Sequence, residues 1–375
     1  MQFRDLKAQY AALKSEIDAG IQGVIDSSAF ILGKPVVELE NRLAEYVGKK
    51  HCISCANGTD ALHLSLKAMN IGAGDAVFTS DFTYFASAGC ISIVGATPVL
   101  VDIDLQSFNL SPEALERQIL NVIHEGKLTP KAIIPVDLFG LPADYTRILP
   151  IAEKYGLKVL EDAAQGFGGS INGKRAGSFG DVGATSFFPA KPLGCYGDGG
   201  TIFTDDPEMD RHLRSLRANG RSPEDKYDNR EVGYNSRLDA IQAAILLPKL
   251  KAFAEYELDA VNRVADWYTQ RLADVVVTPS VPEGFVSSWA QYSILLKSSE
   301  ERTAVQKALK EREIPSMLYY PRGIHQQGAY RDRELPDEDY PNTIEATKRI
   351  LSLPMHPYLQ EADVDLITET IRNCV

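Results

Sequence analysis

The chain is predicted to be an α/β protein: a mostly parallel central sheet sandwiched by helices, followed by a smaller C-terminal α+β domain. Three observations predict it. From residue 50 onward short apolar runs alternate with amphipathic stretches of helical period, which is the pattern of βαβ units. After a long helical stretch near residue 250 the order changes to strand-like, helix-like and strand-like segments. The 375 residues, 44% of them hydrophobic, suffice for a large core and suggest two domains or three.

Taken in order, the first fifty residues are helical by pattern, "VVELENRLAEYVG" included, and belong with the large domain. "HCISCA", "AVFTS", "TPVLVDID", "KAIIPVDLF" and "LKVLEDAA" read as strands, separated by helical segments such as "TDALHLSLKAMN", "SPEALERQILNVI" and "YTRILPIAEKYG". "GATSFFPA" and "GGTIFTD" add two more strands. The stretch from Asn235 to Asp274 is helical throughout, with Pro248 forcing a kink or a restart. Beyond it "VSSWAQYSILL" alternates like a strand, "SEERTAVQKALKERE" reads as a capped helix and "IPSMLYYP" as another strand. The boundary is placed near Pro248, giving a large domain over 1–247 and a small one over 248–375.

Composition excludes several classes. A net charge of -12 argues against a nucleic-acid footprint, which needs clustered Lys and Arg, but leaves room for anions at local helix starts. No apolar run approaches the ~20 residues of a membrane span, and the first residues mix charges without an apolar signal segment. Five scattered cysteines form no disulfide framework, so a reducing cytoplasm is the expected compartment. "HCISC" contains a CxxC, but Cys52 and Cys55 on a strand point to opposite faces and no second pair follows, so no metal is expected.

Chemistry is expected where polar residues follow a buried strand, because ligands of open parallel sheets bind beyond the strands' carboxyl ends. After "HCISCA" comes "NGTDAL": Gly58 permits a tight turn, Thr59 or Asp60 can cap the next helix, and the free N–H groups of that helix start suit a phosphate. After "LKVL" come Glu161 and Asp162, carboxylates that need a partner so deep in the fold. Between the last two strands lies "SFFPAKPLGCYGDGG", where Lys191 sits among residues that cannot continue a helix and so on a loop of fixed shape. An ordinary N-cap, a capping carboxylate and a solvated lysine explain each feature singly. A phosphate turn, a strand-end carboxylate and a loop lysine on one sheet edge match what pyridoxal 5'-phosphate requires: an amine for its aldehyde, an anion for its pyridinium nitrogen and a helix start for its phosphate. Tyr84 of "DFTYFASA" is the candidate to cover a ring face, although Phe82, Tyr84 and Phe85 equally suit a core.

The ordered motifs "NGTDAL", "FTYFASA", "EDAAQGFG", "SFFPAKPLGCYGDGG" and "GYNSRLDAIQAAIL" resemble the sugar aminotransferases of the DegT/DnrJ/EryC1/StrS family over nearly the whole chain. The likeness is greatest to the branch acting on UDP-linked 3-keto sugars of the 2-acetamido-3-oxo-glucuronate kind. The resemblance implies a fold-type I pyridoxal-phosphate transferase in which Lys191 is the Schiff-base lysine, Asp162 the pyridinium partner and Gln165 a neighbour of the ring hydroxyl. Gly58, Thr59 and Ser186 would hold the phosphate, and Asn235 would reach the cofactor of a second subunit, so that a homodimer shares its sites. Arg237 would meet the sugar. Where many relatives carry His-Tyr, this chain has Tyr319 and Tyr320, with His325 shortly after; these are the remaining candidates for the sugar pocket.

The implied reaction takes an amino group from L-glutamate to a nucleotide-linked keto sugar, for amino sugars of surface polysaccharide such as O-antigen. A sugar dehydratase on the same fold would carry His in place of Lys191. A non-catalytic sugar-nucleotide-binding regulator would not need the full set of Lys191, Asp162 and phosphate turn, and a nicotinamide enzyme would need a G-x-G-x-x-G that "GFGGSING" does not supply.

Overall fold

A computed structural model describes every residue except Pro223 and Lys226. Two N-terminal helices, α1 (Leu6–Ser27) and α2 (Lys34–Val47), precede the sheet. The elements then alternate: β1 (His51–Cys55), α3 (Gly58–Ala68), β2 (Asp75–Ser80), α4 (Ala86–Ile93), β3 (Thr97–Val101), α5 (Pro112–Glu125), β4 (Thr129–Ile134), α6 (Tyr145–Tyr155) and β5 (Lys158–Asp162). Two short strands, β6 (Ser170–Ile171) and β7 (Lys174–Arg175), lead to β8 (Val182–Ser186), β9 (Gly200–Thr204) and α7 (Pro207–Leu216). The seven strand segments read from the sequence are the seven strands of the central sheet, in the order β1-β9-β8-β5-β4-β2-β3. β9 runs antiparallel to both its neighbours, and the pairs from β8 to β3 are parallel.

Strict alternation along the strands builds the two faces. Ile53, Cys55, Val77, Ala132, Ile134, Leu160 and Ile202 pack with α3, α4 and α7 on one side. Their neighbours point the other way: Cys52 and Phe203 meet α2 and the later helix α8 (Ala240–Ala252), and Ala76, Phe78, Ile133 and Val159 meet α5 and α6. Period-2 side chains thus divide one sheet between two helical layers. Cys52 and Cys55 lie in different layers as the strand geometry requires, and all five cysteines are free.

α2 is tied to the sheet by one buried carboxylate. Glu40 accepts from Ser54 N and Oγ at 3.0 and 2.7 Å, from Arg217 Nη1 at 2.7 Å and from Arg214 Nη1 at 2.8 Å. Burial acts to raise its pKa, and the two guanidiniums overcome burial and hold it below the usual carboxylate range. The pair with Arg217 is buried on both sides, so Glu40→Gln strands a guanidinium and is expected to lower stability by about 3 kcal/mol or more in urea unfolding. The loss should shrink as pH falls through the depressed Glu40 pKa, since the ionised carboxylate stabilises the fold only above its titration.

α8 runs straight through Pro248, and the irregularity comes later: Phe253–Glu257 form a π turn before α9 (Leu258–Leu272). The C-terminal elements are β10 (Phe285–Val286), β11 (Tyr292–Leu295), α10 (Ser299–Glu311), α11 (Pro341–Arg349), β12 (Ile350–Leu353) and α12 (Glu361–Arg372). Ser298 caps α10 by accepting from Glu301 N. One buried cluster joins α9, β11, α10, β12 and α12 through Val264, Tyr268, Ile294, Val305, Leu351 and Ile367. Ile324, Tyr330 and Tyr340 instead pack back on Ala88 and Leu100 of the large sheet's edge.

"IPSMLYYP" is not a strand. A single bridge, Met317 to Ser352, is all the ladder it makes, because Pro315 and Pro321 supply no donor at its two ends. Among the described residues no helix is long and apolar enough to cross a membrane.

Candidate active site

Adjacent strand ends bring the expected residues together. β1 and β8 both flank β9, with Cys55 and Ser186 each paired to Gly200, and β5 lies next to β8 with Asp162 paired to Ala184. The α3 start therefore faces Ser186 across Gly200, and Asp162 stands one strand further on.

The start of α3 is built for close approach. Asn57, not Thr59 or Asp60, is the N-cap, accepting from Asp60 N at 2.8 Å. Ala61 N bonds to Asn57 O, which leaves the N–H groups of Gly58 and Thr59 without a hydrogen-bond partner among the described residues. A Cβ on Gly58 would lie 2.5 Å from Ser186 Cβ, so only glycine fits between the helix start and β8. Gly58→Ala is therefore expected to destabilise the protein by about 1–3 kcal/mol and to weaken retention of a phosphate-bearing cofactor, read by unfolding and by cofactor content after desalting.

Asp162 is buried and held by two bonds: Ser87 Oγ donates to its Oδ2 at 2.8 Å and Ala164 N to its Oδ1 at 3.1 Å. Burial raises its pKa, while those donors and the nearby Lys191 charge oppose the rise. Its neighbour Glu161 is a structural carboxylate, accepting from Gly177 N and from Phe179 N, and so shapes the β7–β8 turn. Gln165 receives the Phe139 N–H at 3.0 Å on its carbonyl and donates from Nε2 to Tyr320 Oη at 3.1 Å.

The Lys191 loop has the fixed shape its prolines and glycines suggest. Phe187 N bonds to Gly199 O, Cys195 N to Phe187 O and Lys191 N to Phe188 O, at 2.7–2.8 Å. Leu193 and Cys195 are buried beneath, and a Cβ on Gly194 would strike Pro189 O at 2.5 Å. Lys191 as a whole residue is half-buried, and among the described residues its amine has no hydrogen bond or ion pair. Burial lowers its pKa, the Asp162 charge opposes that, and the Arg4 charge adds to it.

The remaining candidates fall into three groups. Tyr320 is half-buried beside Gln165, and Tyr319 is half-buried against Phe3, ring centroids 6.1 Å apart. Tyr84 is 58% exposed, while Phe82 belongs to the core and Phe85 packs on Tyr330. Asn235 is exposed and Arg237 half-buried on either side of Ser236. Ser236 does not cap α8; its hydroxyl donates to Asp60 Oδ2 at 2.6 Å and accepts from Ala56 N at 3.1 Å, which draws "GYNSRLD" to the α3 start. His325 is set apart from the rest. It is buried, with Nδ1 2.6 Å from Asp81 Oδ2 and Nε2 2.9 Å from Asp337 Oδ1, so both ring nitrogens are committed to holding its own segment.

Sequence reasoning missed Asn57, Ser87 and Arg4, whose Nη2 donates to Pro192 O at 3.1 Å. Asn before Gly was the available sign of the first; Ser87 lies inside "FTYFASA", read for its aromatics; nothing near Arg4 marks it.

These features fit pyridoxal phosphate on their own geometry: two open N–H groups in a cleft that tolerates only glycine, a buried carboxylate on the strand next to β8, and a loop amine within reach of its charge. Such a sheet edge defines a fold-type I pyridoxal-phosphate-dependent transferase. More narrowly, the chain belongs to the DegT/DnrJ/EryC1/StrS aminotransferase family, whose model matches residues 11–372. It is 46% identical, over the whole of both chains, to the UDP-2-acetamido-2-deoxy-3-oxo-D-glucuronate aminotransferase of Pseudomonas aeruginosa. It is 42% identical to a UDP-N-acetyl-3-dehydro-alpha-D-glucosamine 3-aminotransferase of Acidithiobacillus ferrooxidans, over 98% of this chain and 96% of that one. The fold superposes on the crystal structure of a DegT/DnrJ/EryC1/StrS aminotransferase from Brucella abortus with a TM-score of 0.96, at 49% identity, covering 100% of this chain and 99% of the other.

Proposed function

We propose that this enzyme moves the amino group of L-glutamate to a UDP-linked 3-keto hexose of the 2-acetamido-3-oxo-glucuronate kind, supplying an amino sugar for surface polysaccharide. The full-length identity of 46% to the Pseudomonas aeruginosa enzyme carries this reading. The reading includes a homodimer in the cytoplasm, with Asn235 of one subunit beside the cofactor of the other.

In it, the Gly58 and Thr59 N–H groups and the Ser186 hydroxyl hold the cofactor's phosphate, Asp162 faces its ring nitrogen and Gln165 its ring hydroxyl. Tyr84 covers a ring face. Pyridoxal phosphate, when bound, supplies an aldehyde that carries the amino group and a ring that accepts electrons from the bond broken beside it. Lys191 Nζ takes the proton that leaves the donor's α carbon and, in the second half of the cycle, gives one to the sugar carbon that receives the amine. It takes the proton only while uncharged, which the burial that lowers its pKa favours, and the ammonium so formed is the acid that gives one back. Arg237 is assigned to the sugar's carboxylate, since a guanidinium pairs with a carboxylate in two parallel bonds. Tyr319 and Tyr320 line the sugar pocket, and His325 braces the segment that follows them. A dehydratase is not favoured, because a lysine stands at 191 and the relatives are aminotransferases.

The test is turnover. Cofactor-loaded protein is mixed with L-glutamate and a panel of UDP- and dTDP-linked 3-keto and 4-keto sugars, and 2-oxoglutarate and amino-sugar nucleotide are measured. The UDP-3-keto uronate is expected to react fastest, and Arg237→Met to raise KM for it more than for the uncharged sugar. Oxoglutarate formation no higher than in the sugar-free control, across the whole panel, would falsify the reading.

A further inference from the structure

The first five residues are built into the site. Phe3 O accepts from Met355 N at 3.0 Å, the Phe3 ring meets Tyr319 edge-on, and Asp5 caps α1 by accepting from Ala8 N. Between them Arg4 reaches the Lys191 loop and donates to the carbonyl of Pro192, the residue next to the lysine. This short segment therefore links the loop that carries Lys191 to the two C-terminal stretches that carry Tyr319 and Met355.

Arg4 has an unusual electrostatic position. Its hydrogen bond goes to a neutral carbonyl, and among the described residues no carboxylate lies within ion-pair distance of it. The anion whose charge reaches it is Glu257, whose oxygens accept instead from Gln9 at 3.0 Å and from Tyr358 at 2.7 Å. Burial pulls the guanidinium down to about 10, which still leaves it charged at neutral pH. The other ionisable groups near it do not cancel that charge. Lys249 is buried with Nζ unpartnered above the Tyr196 ring, and burial lowers it to about 8; His356, lowered by burial to about 4, is neutral at pH 7. Facing Lys191 itself, Asp162 is the one opposing charge and Arg4 the one reinforcing cation that bear on its titration.

We propose that Arg4 is a positioning residue for Lys191: it fixes the backbone that carries the lysine and brings a guanidinium that is positive at neutral pH to the residue next to it. A neighbouring cation disfavours the ammonium form, so Arg4 holds a larger fraction of Lys191 in the free amine that nucleophilic attack and proton transfer require. The proposal rests on the reading of Lys191 as the working lysine. It is tested on the amine itself, so its failure is separable from failure of that reading.

The experiment is competitive acetylation of the cofactor-free protein with acetic anhydride from about pH 6 to about pH 11, following the Lys191 peptide by mass spectrometry. Arg4→Met removes both the charge and the bond; Arg4→Gln removes the charge and keeps a donor, and serves if the first does not fold. In either folded variant the Lys191 midpoint should rise by about half a unit to one unit, which slows its labelling near pH 8 by roughly threefold to tenfold. A shifted midpoint in Arg4→Gln assigns the effect to charge. A midpoint unchanged from wild type in a variant with native circular dichroism overturns the proposal, whatever happens to turnover.

Discussion

Lys191→Ala is expected to abolish amino transfer, lowering kcat by roughly four orders of magnitude or more, and to leave the fold intact. The two halves of that expectation come from different parts of the same loop. Its shape is set by main-chain bonds from Phe187, Lys191 and Cys195 N–H groups and by the burial of Leu193 and Cys195, none of which uses the lysine side chain. Truncating a half-buried lysine with no side-chain bond to break should change stability by about 1 kcal/mol or less. The chemistry has no such redundancy, because no other described amine shares Asp162's charge as Lys191 does. Lys191→Arg separates nucleophile from charge: a guanidinium stays protonated and can neither attack a carbonyl nor take a proton, so it should be as inactive as alanine. Formation of 2-oxo acid from L-glutamate, together with thermal unfolding by circular dichroism, measures both halves. An alanine variant with a tenth of wild-type turnover would remove Lys191 from the reaction.

What the sequence discloses and what it hides divide along a physical line. The seven strands of the sheet are legible because each face is set by a local period of two, and Ile53 against Cys52 or Ile133 against Ile134 states it within a few residues. Gly58, Asp162 and Lys191 come to one edge of the sheet because each ends or follows a buried strand, where chain direction alone places it. Contacts between distant residues leave no local trace. The Ser236 hydroxyl looks like a cap for the helix that begins nearby, yet bonds to Asp60, 176 positions earlier. The Arg4 bond to Pro192 spans 188 positions and has no pattern at either end. "IPSMLYYP" reads as a strand over too short a run to outweigh its two prolines, and His325 looks available until Asp81 and Asp337 are seen to take both its nitrogens. The cap of α3 is ambiguous for a different reason: Asn57, Thr59 and Asp60 are all good capping residues within four positions, and only the backbone decides among them.

Asp162→Asn is the second large effect, and it should separate function from stability in opposite directions. Asparagine keeps the volume and can still accept from Ala164 N, so the site should stay folded around it. It loses the negative charge that, in the proposed reading, favours a protonated ring nitrogen, and kcat is expected to fall by about two to three orders of magnitude. Stability behaves differently. Burial raises the folded-state pKa of Asp162 above its unfolded value, so in the cofactor-free protein the folded form holds its proton more tightly than the unfolded chain does. Wild-type stability therefore falls as pH rises from the unfolded carboxyl value, about 3.9, up to the raised folded value, and the deficit persists above it. The asparagine variant carries no such deficit. It should match wild type near pH 3.9 and become the more stable protein as pH rises toward 7, a difference that urea unfolding at several pH values resolves. A cationic ring bound against the carboxylate reverses the sign for wild type alone, so adding the cofactor should stabilise wild type more than the variant. If the variant turns over within a few-fold of wild type, or gains as much stability from the cofactor, Asp162 does not face the ring nitrogen, and its buried charge is a structural burden with some other compensation.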